Sequence, residues 1–195
     1  MPPFTYQLDP QSQMLYFADF LSIEKCEEFF QQLLSGIDWM QEEIKMFGQV
    51  HKQPRLTAWF GKGLSAYSNY SQEIYAHPWT PTALTVKNAT EQKAGAVFNS
   101  ALINYYRNGE DYMGFHADDE PSLGEQPIIA SLSLGAERRF VVKRRSDRKT
   151  VLDIVLAQGS LLVMSGNMQR NFKHGMPKSK KISNARINLT FRHIL

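Results

Sequence analysis

The sequence predicts a mainly β fold with flanking helices (α+β), either a helix-buttressed sandwich or a jelly roll. Three observations predict it. Helical patterns occur only in the first half of the 195 residues. The second half is a series of short apolar segments with turn residues between them. No Gly-rich phosphate-binding loop is present, which argues against a fold that binds a nucleotide cofactor.

Two helices are predicted in the first half. Ser22 is a favourable N-cap for an amphipathic helix that ends near Gly36. A second helix begins at Thr80, with Pro81 at its first position, and fades before Gly95. The apolar positions of the first helix repeat at helical spacing, as Ile23, Cys26, Phe29, Phe30, Leu33 and Leu34.

Six strands are predicted in the second half, because each segment is apolar and is bounded by turn residues. They are Phe98–Tyr105, Ile128–Leu134, Phe140–Lys143, Val151–Leu156, Ser160–Met164 and Arg186–His193. Turn residues separate them at 108–109, 146–147, 158–159 and 166–167.

Composition excludes several classes of protein. Apolar residues make up 43 % and charged residues 21 %, which excludes a disordered or collagen-like chain. We expect one domain over residues 1–195. Apolar runs are far shorter than a membrane span, no signal peptide is readable, and Cys26 is the single cysteine. We therefore expect a cytoplasmic protein of bacterial origin, nuclear if eukaryotic, that is a monomer without a membrane partner.

The net charge of +3 conceals an asymmetry along the chain. Residues 138–195 hold 14 basic and 2 acidic residues, a local charge of +12. Residues 1–137 hold 8 basic and 17 acidic residues, a local charge of −9. A basic half of this kind suggests a polyanionic partner. The alternative is a solvated surface that binds nothing.

His116 and Asp118 are the first candidate metal ligands. On an extended segment, side chains two residues apart point the same way, so one imidazole and one carboxylate can bind one ion. Among the remaining histidines, His174 is the best third ligand, since it lies just past a predicted strand. Two histidines and one carboxylate with open positions form the non-haem Fe(II) arrangement of oxygenases. A His-x-Asp pair also occurs often by chance.

The last predicted strand alternates between polar and apolar residues. Its polar face either is exposed to solvent or lines a barrel interior. In the second case it can hold a small dicarboxylate, because guanidinium groups pair bidentately with carboxylates. That face carries Arg186, Asn188, Thr190 and Arg192. Asn104 and Tyr106 share one face of an earlier strand and are further donors for the same ligand.

Five segments resemble, in order and spacing, the Fe(II)/2-oxoglutarate oxygenases of the AlkB family, which are DNA and RNA dealkylases. They are Pro54–Gly61, Asn104–Arg107, His116–Pro121, Ile128–Gly135 and Arg186–Arg192. The resemblance includes His174 and covers about residues 45–195. It is closest to repair members that share the Pro-Arg and Asp-Asp-Glu segments.

The resemblance implies a double-stranded β-helix over residues 98–195, with residues 1–97 as an N-terminal extension and nucleotide-recognition part. It implies that His116, Asp118 and His174 hold Fe(II) as the catalytic centre. The implied reaction uses 2-oxoglutarate and O2 to hydroxylate the methyl group of 1-methyladenine or 3-methylcytosine in single- or double-stranded DNA. Formaldehyde, succinate and CO2 are released. The implied 2-oxoglutarate site is Asn104, Tyr106, Arg186, Asn188, Thr190 and Arg192.

A methylated base must leave the stack to reach the iron, and the resemblance implies aromatic residues that receive it. Trp59, Tyr67 and Tyr70 are candidates to stack on the base, and Ser71 follows in the same segment. Phe47 is a candidate wedge that fills the gap left by the flipped base. The alternative for each aromatic residue is a place in the core.

Charged residues complete the implied substrate site. Asp119 and Glu120 can select a cationic methylated base, and Arg55 can contact the flipped nucleotide or its neighbours. Alternatively, both acids are ordinary surface residues. Two basic clusters can neutralise phosphates: Lys143, Arg144, Arg145, Arg148 and Lys149 at a hairpin, and Lys173, Lys178, Lys180 and Lys181 around His174.

Three other functions remain open. The first is an RNA demethylase of the same family, and the second is a catalytically silent jelly roll that binds nucleic acid. The third is a protein-hydroxylating oxygenase.

Overall fold

A computed structural model describes residues 2–46, 48–61, 64–65 and 74–195. Within them, the helices are α1 (Ile23–Gly36), α2 (Pro81–Ala94) and the single turn α3 (Met168–Asn171), with a 3-10 turn at Pro121–Leu123. The early strands are β1 (Phe4–Asp9), β2 (Ser12–Phe17), β3 (Glu43–Met46), β4 (Gln49–Lys52), β5 (Leu56–Phe60), β6 (Leu64–Ser65) and β7 (Ile74–Tyr75). The later strands are β8 (Ser100–Tyr106), β9 (Met113–His116), β10 (Ile129–Gly135), β11 (Arg138–Arg144), β12 (Thr150–Leu156), β13 (Leu161–Gly166), β14 (Phe172–Met176) and β15 (Arg186–Arg192).

Strands β8 to β15 form the predicted jelly roll, although β9 and β14 are not among the six predicted strands. Four of them lie in a large sheet in the order β13-β10-β15-β8. The other four form a small sheet in the order β12-β11-β14-β9. Neighbouring strands in both sheets are antiparallel. The two sheets therefore enclose a space between their inner faces.

The large sheet continues past the jelly roll on both sides. Strand β2 pairs with β13 and carries β1 on its outer edge, while β5 pairs with β8. These three strands are not among the predicted elements. Strands β2 and β5 pair with strands that are remote in sequence, and β1 is an edge strand whose residues are all exposed or half-buried, so a local apolar pattern carries little signal for them. The sheet therefore crosses residue 97 without a break.

Both predicted helices form with the predicted caps. The Ser22 hydroxyl accepts a hydrogen bond from the Lys25 backbone N at 3.4 Å. The Thr80 hydroxyl accepts one from the Ala83 N at 3.1 Å. Gly95 ends α2 with a positive φ of 64°, a conformation that glycine adopts without strain.

Two apolar cores lie on opposite sides of the large sheet. On the outer side, α1 buries Cys26, Phe29 and Leu33 in a cluster with the apolar residues of β10 and β15. Each such side chain contributes about 1.5–3 kcal/mol by leaving water. On the inner side, Phe140 and Phe172 of the small sheet belong to a second cluster with residues of β2, β10 and β13.

All seven residues of β15 are buried, so its polar face is an interior face and not a wet one. The apolar face, Ile187, Leu189 and Phe191, belongs to the outer core. The polar face points into the space between the sheets. In the part of the chain that the structure describes, no helix is both long and apolar enough to cross a membrane.

Candidate active site

The three predicted metal ligands meet at one end of the small sheet. His116 is the last residue of β9 and pairs in register with His174 on β14. Asp118 Oδ1 lies 4.0 Å from His116 Nε2, and Asp118 Oδ2 lies 3.7 Å from His174 Nε2. One ligand atom from each residue lies within 4.8 Å of the others. Small side-chain adjustments would bring all three within bonding distance of one ion.

The protonation states suit metal binding. Burial lowers the pKa of His174 to about 3, so its imidazole is neutral and can donate a lone pair at neutral pH. Burial alone would raise the pKa of Asp118, but the positive charge of the Arg192 guanidinium holds it below its usual value. Asp118 is therefore an ionised carboxylate.

Neighbouring groups orient these ligands. His116 Nδ1 lies 2.9 Å from the Gly114 carbonyl oxygen, which leaves its Nε2 for a metal. The buried Gln169 side chain accepts a hydrogen bond from the Asp118 backbone N at 3.0 Å. The Phe140 ring stacks on His174 with centroids 5.3 Å apart. Gln169 was not a predicted site residue, because its role depends on a contact across 51 positions.

One cavity joins the metal cluster to the predicted co-substrate residues. It is lined by the three metal ligands and by all six residues that the resemblance implies for 2-oxoglutarate, Asn104, Tyr106, Arg186, Asn188, Thr190 and Arg192. These six side chains lie on β8 and β15, which pair in register over residues 100–106 and 186–192.

Arg186 is the buried cation at one end of this polar row. It is 3 % exposed, and its Nη2 donates to the Ser133 hydroxyl at 2.9 Å. Its Nε has no hydrogen-bond partner within the described residues. Burial lowers its pKa to about 10, so it stays charged at neutral pH. A buried guanidinium without a carboxylate partner is suited to an anionic ligand.

Arg192 lies at the opposite end of the row, beside the metal cluster. Its Nη2 makes an ion pair with Asp118, and both groups are buried. Its Nε likewise lacks a partner among the described atoms. Because the strand rises roughly 3.3 Å per residue, the backbones of the two arginines lie about 20 Å apart, at opposite ends of the polar row.

Polar residues of β10 support this row. Asn188 donates to the Ser131 hydroxyl at 2.8 Å and to the Leu132 carbonyl at 2.9 Å. Thr190 donates to Asn188 Oδ1 at 3.1 Å. The roles of Ser131 and Ser133 were not predicted. Their spacing of two residues inside an apolar strand is the signal that places both on the face toward β15's polar residues.

Four predicted substrate residues fall within the described part of the chain. Arg55 Nε donates to Asn104 Oδ1 at 2.8 Å, so it contacts the co-substrate row directly. The Trp59 ring is 3 % exposed and lies 5.9 Å from the Arg192 guanidinium. Asp119 is exposed and pairs with Arg145. Glu120 is half-buried.

The other four predicted substrate residues lie outside the described residues. They are Phe47, Tyr67, Tyr70 and Ser71.

Comparisons with known proteins agree with this site. The sequence model of the 2OG-Fe(II) oxygenase superfamily matches residues 13–192. The chain is 39 % identical to the Bos taurus protein named Alpha-ketoglutarate-dependent dioxygenase alkB homolog 3, over 90 % of this chain and 64 % of that protein. It is 36 % identical to the Arabidopsis thaliana protein named DNA oxidative demethylase ALKBH2, over 98 % of this chain and 69 % of that protein.

The fold is also found among solved structures. The protein described as "The structure of OsALKBH1" matches with a TM-score of 0.68, over 97 % of this chain and 100 % of that one, at 16 % identity. At that identity the likeness concerns the fold alone. The chain spans 64–66 % of the length of its alkB homolog 3 relatives.

The family-model match runs along almost the whole sequence, and the two relatives are 39 % and 36 % identical to this chain. The chain therefore belongs to the AlkB family of 2OG-Fe(II) oxygenases.

Proposed function

We propose that this protein is an Fe(II)- and 2-oxoglutarate-dependent oxidative demethylase that repairs N-methylated bases in DNA. The single observation that carries the proposal is one cavity with a His-Asp-His cluster at one end and a buried, unpaired arginine at the other. A binding module has no need to bury such groups together, since each costs free energy when desolvated.

The donor set fits iron. Two imidazoles and one ionised carboxylate are the ligand set of non-haem Fe(II) oxygenases, in which other metal positions are open. His116, Asp118 and His174 would hold the metal, which when bound activates O2 for oxidation of the methyl group. Arg192 keeps Asp118 ionised, and Gln169 fixes its backbone.

The cavity also fits 2-oxoglutarate, a dicarboxylate. Arg186 offers its unpartnered Nε to the carboxylate that lies far from the metal, and Tyr106 lies beside it. Arg192 and Asn104 lie along the same row and orient the rest of the molecule. The row admits an anion because Arg186 has no competing carboxylate among the described side chains.

The outer face of the small sheet supports a nucleic-acid substrate. A surface groove there is lined by one exposed aromatic ring, Phe115, and by five cations, Lys143, Arg144, Arg145, Arg148 and Lys173. Lys143 Nζ lies 4.1 Å from the centre of the Phe115 ring. Cations suit phosphates and exposed aromatic rings suit unstacked bases. Phe115 immediately precedes His116, so the groove adjoins the metal cluster.

The base itself would be held near the Arg55 side of the cavity. Arg55 and Trp59 on β5 neighbour the co-substrate row, while Asp119 and Glu120 directly follow the metal ligand Asp118. Two carboxylates beside the metal suit a base made cationic by methylation. Phe47, Tyr67, Tyr70 and Ser71 stay candidates from the sequence for stacking and for filling the gap in the duplex.

Product mass tests the proposal. The protein is incubated with Fe(II), 2-oxoglutarate and oligonucleotides that carry 1-methyladenine or 3-methylcytosine in single-stranded DNA, duplex DNA or RNA. We expect loss of one methylene mass from DNA, together with formaldehyde and succinate. The His116→Ala variant is the negative control. Loss from RNA alone would replace DNA with RNA as the substrate, and no loss on any substrate would refute repair.

A further inference from the structure

Arg138 is a second buried arginine that the proposed chemistry does not use. It opens β11 and is 1 % exposed. Its Nη1 donates to the Asn108 carbonyl at 3.1 Å, and its Nη2 donates to the Asp111 and Pro177 carbonyls at 2.8 and 3.0 Å. Its Nε has no partner within the described residues. All its hydrogen-bond partners are neutral.

The Asp111 carboxylate attracts this charge but makes no hydrogen bond with it. Both carboxylate oxygens of Asp111 are used by Arg107, whose Nε and Nη2 donate at 2.8 Å each. Arg138 contacts only the backbone carbonyl of Asp111. A buried charge that meets carbonyls alone is costly, so something else must favour its presence.

Tyr106 connects Arg138 to the co-substrate cavity. The Arg138 guanidinium carbon lies 5.9 Å from the centre of the Tyr106 ring, and that of Arg186 lies 5.4 Å from it. Tyr106 and Arg186 line the cavity, whereas Arg138 lies behind them. Two buried cations therefore flank one phenol, and neither of them donates a hydrogen bond to a carboxylate within the described residues.

We propose that Arg138 is a positioning residue that selects the distal carboxylate of 2-oxoglutarate. Its charge adds to that of Arg186 at the end of the cavity away from the metal, and its contacts hold Tyr106 and the loops at 107–112 and 177–185. The inference rests on the proposed co-substrate. It explains why two cations are buried together: the distal carboxylate is attracted by both.

The test compares two ligands and three variants. Dissociation constants are measured by calorimetry on Mn(II)-loaded protein for 2-oxoglutarate and for 2-oxopentanoate, which has the same carbon chain without the distal carboxylate. The variants are Arg138→Gln, which removes the charge but keeps an amide donor, Arg138→Lys, which keeps the charge, and Arg139→Gln. Arg139 is the matched control, since it is adjacent, exposed and paired with Asp153.

We expect Arg138→Gln to weaken the binding of 2-oxoglutarate about tenfold and that of 2-oxopentanoate less than about twofold. The lost charge affects only the ligand that carries a distal carboxylate. Arg138→Lys should keep the preference for 2-oxoglutarate even though its Tm falls, because the three carbonyl contacts are lost. Arg139→Gln should match the wild type with both ligands.

Three results would overturn the inference. If Arg138→Lys weakens both ligands equally, Arg138 only supports the loops. If Arg138→Gln leaves the preference unchanged, its charge plays no part. If the wild-type protein binds both ligands equally well, or binds neither, the proposed co-substrate is wrong and this inference fails with it. Results that concern the Arg138 variants alone would leave the proposed co-substrate intact.

Discussion

The inner and outer faces of the small sheet place chemically opposite groups one residue apart. His174 is buried and neutral, whereas its neighbour Lys173 is exposed and lines the basic groove. His116 faces the metal cluster, whereas Phe115 is 42 % exposed in that groove. The inner groups are held by burial and by fixed partners. The outer groups are hydrated and screened by salt, so we expect few essential residues inside and many small, additive contributions outside.

The largest difference is expected between His174→Ala and Lys173→Ala. The first variant removes a metal ligand and should lower Mn(II) affinity and turnover at least about 100-fold, since three protein ligands become two. The second should keep metal affinity and most of the turnover. Metal titration followed by calorimetry and a formaldehyde assay measures both. Comparable losses of metal affinity and turnover in the two variants would contradict the functional difference between the inner and outer faces.

Arg186→Met should have the next largest effect. It removes the charged donor at the distal end of the cavity, so the KM for 2-oxoglutarate should rise about 10- to 100-fold, the range for charge-assisted hydrogen bonds. Metal affinity should change little, because Asp118 pairs with Arg192 instead. Arg139→Met is the control on the outer face. An unchanged KM would remove Arg186 from the co-substrate site.

Salt concentration should weaken binding at the outer face and hardly affect binding at the inner face, an effect smaller than the two above. Binding of a DNA oligonucleotide should weaken steeply with salt, with a log–log slope near −0.9 per phosphate contact. Lys143→Ala and Lys173→Ala should each reduce that slope by about 1 unit and weaken binding several-fold. Calorimetric affinity for 2-oxoglutarate should hardly respond to the same salt series. A flat DNA response would remove the groove from substrate binding.

The smallest expected effects concern stability. Asp111→Asn breaks the ion pair with Arg107 and should lower stability by about 1–2 kcal/mol at pH 7. Burial opposes ionisation of Asp111, but the Arg107 contacts outweigh it and lower its pKa below 3.8. A carboxyl group whose pKa is lower in the folded state stabilises the fold at any pH above its unfolded-state pKa. That contribution disappears as the pH falls through its folded-state pKa. The cost of the substitution should therefore shrink below pH 3.8 in thermal melts.

Asp153→Asn is the matched change on the outer face of β12. Its partner Arg139 is exposed, so the substitution should leave the Tm unchanged. A clear loss of Tm would show that outer ion pairs also organise the sheet.

Local pattern was sufficient for the parts of the molecule that are regular along the chain. The alternation of β15 predicts which residues share a face, and the Ser22 and Thr80 caps predict where both helices begin. The His-x-Asp spacing predicts two ligands on one face. In each case a periodicity of two residues or one helical turn carries the information.

Contacts between remote segments were beyond the reach of pattern. Arg138 and Arg139 are adjacent residues of the same type, yet Arg138 is buried against Tyr106 and Arg139 is exposed. Only the register of β11 between β12 and β14 determines which one points inward. Gln169 and β2 could not be predicted either, because their partners are remote in sequence. Gln169 contacts Asp118, and β2 pairs with β13, which follows some 150 residues later along the chain.

The position of β15 also determines when the site can exist during synthesis. It is the last strand in this sequence, yet it lies in the middle of the large sheet between β10 and β8. Because a chain leaves the ribosome from its N-terminus, β8 and β10 emerge without the strand that joins them. The metal ligands are all made before Arg186 and Arg192 appear. A nascent chain thus has all the strands of the small sheet, with both histidines, before the large sheet receives β15 and its two arginines.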